Sequence, residues 1–110
     1  MKEKLVEIKK LIGELQKDTP EEIGAFLNFL QKAEKDSSIS AKNKELINVA
    51  LAVAAQCEWC IAFHTQNALK LGATKNELIE AGMQAVVMHG GPALMYMTPL
   101  LNAIKEFSNE

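Results

Sequence analysis

Apolar positions recur with the period of a helix along almost the whole chain. Leu5, Ile8, Leu11, Ile12 and Leu15 stand three and four residues apart and predict an amphipathic helix from about Lys2 to Lys17. Thr19-Pro20-Glu21-Glu22 reads as the next helix start, with Thr19 as N-cap, proline in the first turn and acids near the positive end. Ile23, Phe26, Leu27 and Leu30 carry that helix to about Lys35, where Asp36-Ser37-Ser38 breaks it. Ser40 caps a third helix, about Ala41 to Ala55, bearing Leu46, Ile47, Val49, Ala50 and Val53. A fourth begins near Cys57 and ends at Leu71-Gly72, where glycine supplies a left-handed stop. Thr74-Lys75-Asn76-Glu77 is a capping box that opens a fifth helix to about Met88. After the break His89-Gly90-Gly91-Pro92, a last helix runs to about Phe107, with Pro99 placed to kink or divide it. No strand-like alternation of useful length interrupts this pattern. The expected fold is all-α, a bundle of about six helices forming one domain over residues 1–110.

Composition narrows the function classes. A chain of 110 residues suits one core. Net charge is −2, so there is no electrostatic footprint for nucleic acid. All 12 basic residues are lysine, which removes bidentate guanidinium recognition of phosphate or carboxylate. Met1-Lys2-Glu3-Lys4 leads into a charged amphipathic segment rather than a signal peptide, and no apolar run reaches a membrane span. The expectation is a cytoplasmic protein with no membrane or nucleic-acid partner. There a cysteine pair is reduced or cycling, and a purely structural disulfide is the weaker reading.

Charge is unevenly spread. Residues 1–45 hold nine lysines and nine acids, whereas Leu46 to Met97 holds only Glu58, Lys70, Lys75, Glu77 and Glu80. So apolar a stretch exceeds what a small monomer hides, and Met83, Met88, Met95 and Met97 add adaptable contact area. An obligate homo-oligomer is expected.

The candidate chemistry sits in Cys57-Glu58-Trp59-Cys60-Ile61-Ala62-Phe63-His64, a C-x-x-C-x-x-x-H run holding the chain's two cysteines. On a helix, positions i, i+3 and i+7 share a stripe, which puts the thiols within disulfide reach and an imidazole one turn beyond Cys60. The helix dipole favours a thiolate there, and His64 can take a proton from Cys60 directly or through water. A thioredoxin-like site needs a βαβ unit that is absent. Structural zinc needs four ligands, for which only Cys57, Cys60, His64 and the distant His89 are available. Two inert core cysteines are the bland alternative. Dithiol redox chemistry is favoured, with no metal or cofactor. Trp59 and Phe63 fall off the cysteine stripe and pack or shape an entrance, and Glu58 reads as a solvated acid. His89 reads as a surface or interface residue beside a structural turn. Glu45, twelve residues before Cys57, reads from spacing alone as a solvated glutamate; in a helical hairpin it could orient His64 or hold a relay water.

From about Ser40 to Leu101 these features together resemble the carboxymuconolactone decarboxylase superfamily, on its alkylhydroperoxidase D-like branch. The resemblance rests on Lys44-Glu45-Leu46-Ile47, Leu51-Ala52-Val53-Ala54-Ala55, the C-x-x-C-x-x-x-H run, Gly72-Ala73-Thr74 and Gly90-Gly91-Pro92-Ala93. It implies an all-α bundle with the redox motif at the N-terminal end of a central helix. It implies an active site of Glu45, Cys57, Cys60 and His64, and a homotrimer or homohexamer. It also implies thiol-dependent hydroperoxide reduction: Cys60 attacks, Cys57 resolves, His64 and Glu45 relay protons, and an external dithiol reductant resets the pair. Members acting as lactone decarboxylases lack the cysteine pair, which disfavours that lyase activity. Where the branch's peroxidases carry a histidine before the second cysteine, this chain has Trp59, so a disulfide reductase or carrier is a variant of the same expectation. A redox-sensing or metal-binding helical oligomer is the non-enzymatic alternative.

Overall fold

The computed structural model describes residues 1–109, and every regular element among them is helical. The elements are α1 (Lys2–Asp18), α2 (Pro20–Glu34), α3 (Ala41–Ala54), α4 (Glu58–Lys70), α5 (Lys75–His89), α6 (Gly91–Met95) and α7 (Met97–Phe107). The expected last helix is therefore two. Pro99 falls in the first turn of α7, where its missing N–H costs nothing, but its ring opposes the carbonyl of Met95 four residues back. The helix stops at Met95 and restarts after Tyr96.

Local signals act largely as their chemistry requires. The Ser40 hydroxyl accepts from the Asn43 N–H, and Thr74 with Glu77 forms a reciprocal capping box. Thr19 is a correction. Its hydroxyl donates back to the Leu15 carbonyl at 3.1 Å and does not cap α2. With φ at −138° and ψ at 61°, Thr19 is a non-helical corner between two helices, and its side chain closes the first instead of opening the second.

The core lies among α3, α4, α5 and α7. α3 packs along α4 and α5, and α4 also packs along α7. Val49, Val53, Ile61, Leu78 and Leu100 are fully buried, and alanines at 62, 68, 93 and 103 let the helices approach closely. Closest of all is Gly82 on α5, where an added Cβ would lie 2.7 Å from both Leu100 Cδ2 and Met97 Sδ. Met97 is thus a core residue, unlike Met83, Met88 and Met95, which are exposed. α1 buries none of its residues and α2 buries only Ile23, so this pair forms an outer arm.

Two identical turns frame α4. At its end, Ala73 N–H reaches the Ala68 carbonyl and Gly72 N–H the Leu69 carbonyl, with Gly72 at φ +94°. At the end of α3, Cys57 N–H reaches the Ala52 carbonyl and Gln56 N–H the Val53 carbonyl. Both are Schellman closures, which need a left-handed residue. The second uses Gln56 at φ +57°, a side-chain-bearing residue where glycine is usual. That turn delivers Cys57 to the start of α4.

Candidate active site

Cys57 does not lie on the helix but caps it. Its backbone is extended, and its Sγ accepts the Cys60 N–H at 3.2 Å. Cys60 is the third residue of α4, and the two cysteines form a disulfide with Cα atoms 5.3 Å apart. The pair therefore sits at the positive end of α4, where a backbone N–H already points at one sulfur. Both residues are half-buried.

His64 lies one turn beyond Cys60 on α4, and the α3–α4 hairpin places Glu45 opposite it. Glu45 Oε1 is 2.9 Å from His64 Nδ1. The local reason is the buried stripe of α3. Glu45, Val49 and Val53 follow at four-residue spacing, so the carboxylate is carried inward with the valines. It is only 5% exposed. Burial pushes its carboxyl pKa up, but hydrogen bonds from His64, Asn48 and Asn67, with the charge of His64, outweigh burial and hold it below the ordinary 4.5. Glu45 is thus a buried ion, not the solvated glutamate that spacing alone suggests.

Asn48, one turn after Glu45, completes the cluster. Its Nδ2 donates to Glu45 Oε1 at 2.7 Å and to the Glu34 carboxylate at 2.8 and 2.9 Å. Glu34 ends α2, and its position is set by Lys44, whose Nζ donates to the carbonyls of Ala33 and Lys35 at 3.0 and 2.7 Å. Sequence reading did not single out Asn48, Asn67 or Glu34. Asn48 and Asn67 each lie three residues from a member of the expected set, Asn48 after Glu45 and Asn67 after His64, which is the one signal that could have flagged them.

Residues 20–103 match the model of the carboxymuconolactone decarboxylase family. The chain belongs to that family. An uncharacterized protein of Cupriavidus necator is 40% identical over 101 residues, covering 92% of this chain and 89% of that one. The crystal structure of an apo carboxymuconolactone decarboxylase family protein from Legionella pneumophila superposes with a TM-score of 0.93 at 44% identity, covering 97% of this chain and 96% of that one. A Thermotoga maritima family protein shares the fold at 21% identity, with a TM-score of 0.85 over 94% of this chain and 89% of its own.

Within this family fold, the two aromatic residues of the motif part company. Phe63 stacks edge-on against the His64 ring, with centroids 5.1 Å apart. Trp59 points outward to α1, where Lys4 Nζ sits 4.3 Å above its ring centroid. A groove of about 450 Å³ runs beside it, lined by Glu7, Ile8, Leu11 and Trp59. Glu58 is half-buried rather than fully solvated, and His89 is exposed at the end of α5. Among the described residues, no group of three or more His, Cys, Asp or Glu side chains could hold a metal ion, and no helix is long and apolar enough to cross a membrane.

Proposed function

We propose that this family member is a thiol-dependent oxidoreductase that reduces hydroperoxides through its Cys57–Cys60 pair. The observation that carries this reading is the Glu45–His64 hydrogen bond at 2.9 Å, on the helix whose N-terminus holds the disulfide. In the reduced protein, His64 takes the Cys60 proton and the thiolate attacks a peroxide oxygen. The O–O bond breaks, Cys60 becomes a sulfenic acid, and the alkoxide leaves as alcohol after protonation. The Cys57 thiolate then attacks the Cys60 sulfur, expelling hydroxide, which leaves as water. An external dithiol returns two electrons and two protons by exchange. The test compares the reduced Cys57→Ser and Cys60→Ser proteins with one equivalent of hydroperoxide. Cys57→Ser should accumulate a sulfenic acid at residue 60, and Cys60→Ser should be inert. The reverse pattern in mass spectrometry overturns the assignment.

One observation favours a second reading. The Cys57 sulfur already receives the Cys60 N–H at the helix start. That contact stabilises a Cys57 thiolate and suits a dithiol–disulfide reductase or carrier in which Cys57 attacks. Rapid exchange with a model disulfide by Cys60→Ser, without peroxide consumption by any form, selects it.

The same proposal includes assembly as a closed homo-oligomer, a trimer or hexamer. Leu51 on α3 is 61% exposed, and Val87 and Met88 on α5 are 72% and 79% exposed. With Ile47, Met83 and Met95 they leave an apolar surface that a partner copy would cover. A stable folded monomer of 12.1 kDa in sedimentation would refute it.

A further inference from the structure

Asn48 has two N–H bonds on its amide nitrogen and spends them on two carboxylates. One goes to Glu45 Oε1 at 2.7 Å, the other to the paired oxygens of Glu34 at 2.8 and 2.9 Å. The orientation of the amide is decided by its surroundings. Turned over, its carbonyl oxygen would face both carboxylates, lone pairs against lone pairs. An amide nitrogen accepts no hydrogen bond, so each carboxylate oxygen it touches must act as the acceptor. Glu45 Oε1 is the oxygen that also meets His64 Nδ1. A deprotonated oxygen there leaves only one arrangement of that contact, with Nδ1–H donating. In the neutral ring the other nitrogen, Nε2, then holds the lone pair.

We infer that Asn48 is a positioning residue that keeps Glu45 an acceptor and thereby holds His64 as the Nδ1–H tautomer, with Nε2 free to take a proton. Glu34 belongs to the same device. Its carboxylate holds the second N–H of Asn48 and so sets the amide's rotamer from a different helix. The Lys44 ammonium fixes the end of α2 that carries Glu34. The titratable and charged groups of the cluster are thus Glu34 from α2, Lys44 and Glu45 from α3 and His64 from α4. The depressed carboxyl of Glu45 is consistent with this arrangement. The inference deepens the proposed function, since it concerns the nitrogen that would deprotonate Cys60. It also gives the α1–α2 arm a part in the site although that arm contributes little to the core.

The test reads the imidazole directly. Nitrogen-15 NMR of the oxidised protein at neutral pH distinguishes a protonated from a bare ring nitrogen, and His64→Gln identifies the signals against His89. The wild type should show His64 with Nδ1 protonated and Nε2 bare. Asn48→Leu should bring in the Nε2–H form. Glu34→Gln, at the edge of the cluster, should shift the same signals in the same direction by less, and it serves if Asn48→Leu does not fold. An Nε2–H wild type, or a wild-type imidazole spectrum in either folded variant, overturns the inference. A second arm measures peroxide turnover. Loss of one positioning hydrogen bond should lower kcat of Asn48→Leu about tenfold, with KM little changed. A variant with wild-type kcat also overturns it. If the wild type turns over no peroxide, the proposed function fails while the nitrogen spectra still decide the role of Asn48.

Discussion

Replacing Glu45 tests whether the buried carboxylate is held by its partners or merely tolerated. Glu45→Ala removes the acceptor for Asn48 Nδ2 and for His64 Nδ1 from a site 5% exposed. The imidazole side chain is 18% exposed and can turn toward water, so its loss is small. The Asn48 amide is half-buried and keeps its contacts to Glu34, so losing this acceptor costs about 1 kcal/mol, the low end for a donor left unpaired. The one lost methylene adds about 0.8 kcal/mol. The sum is about 2 kcal/mol. Glu45→Gln keeps the methylenes and an acceptor oxygen but loses charge assistance, a loss of about 1 kcal/mol. The pH dependence has a definite sign. Glu45 titrates below its ordinary 4.5 in the folded state, so the ionised form stabilises folding. That contribution is complete above about pH 4.5 and is lost as pH falls through the lower folded value. Urea unfolding followed by circular dichroism, at one fixed protein concentration because assembly couples to stability, gives the comparison. The gap between wild type and Glu45→Gln should be open near neutral pH and close below pH 4.5. A gap that widens in acid, or a Glu45→Ala loss under about 1 kcal/mol, means that the carboxylate is not held by its partners.

Other positions separate competing effects. Gly24 on α2 has open space around its Cα, so Gly24→Ala should stabilise by about 0.5–1 kcal/mol through helix propensity. At Gly82 the same change drives a methyl to 2.7 Å from Leu100 and Met97, so Gly82→Ala should instead destabilise by about 1–2 kcal/mol; equal melting shifts for the two variants would falsify the packing argument. Gln56→Gly relieves a left-handed side-chain residue and should raise stability by about 0.5–1 kcal/mol; calorimetry showing a loss would mean that the Gln56 side chain stabilises the turn. Thr74→Ala removes the capping-box hydroxyl and should cost about 1 kcal/mol in denaturant unfolding, with no effect expected on His64.

Helix positions were legible because each local signal is complete within a few residues. The Thr74–Glu77 box, the Ser40 cap and Gly72 act through backbone groups three or four residues away, so their chemistry is written in adjacent positions. Thr19 misled for the same reason. Threonine before proline serves either the helix behind it or the one ahead, and only the corner geometry chose Leu15 as its partner. The reach of Cys57 to Cys60 was also local, since a helix cap and the third helical residue are neighbours, here with Cα atoms 5.3 Å apart, inside the disulfide range.

What the chain alone determined is therefore its helices, their ends and the presence of a dithiol beside a histidine. The hairpin of α3 on α4 decided the rest. It turned Glu45 from what spacing alone reads as a solvated glutamate into a buried ion 2.9 Å from His64, because the stripe it shares with Val49 and Val53 must face inward. The packing of α2 on α3 brought Glu34, fourteen residues from Asn48 and on another helix, into the same hydrogen-bonded cluster. Such contacts have no period to read. They depend on how two apolar faces pack and on where Lys44 catches the end of α2, and those are properties of the folded core.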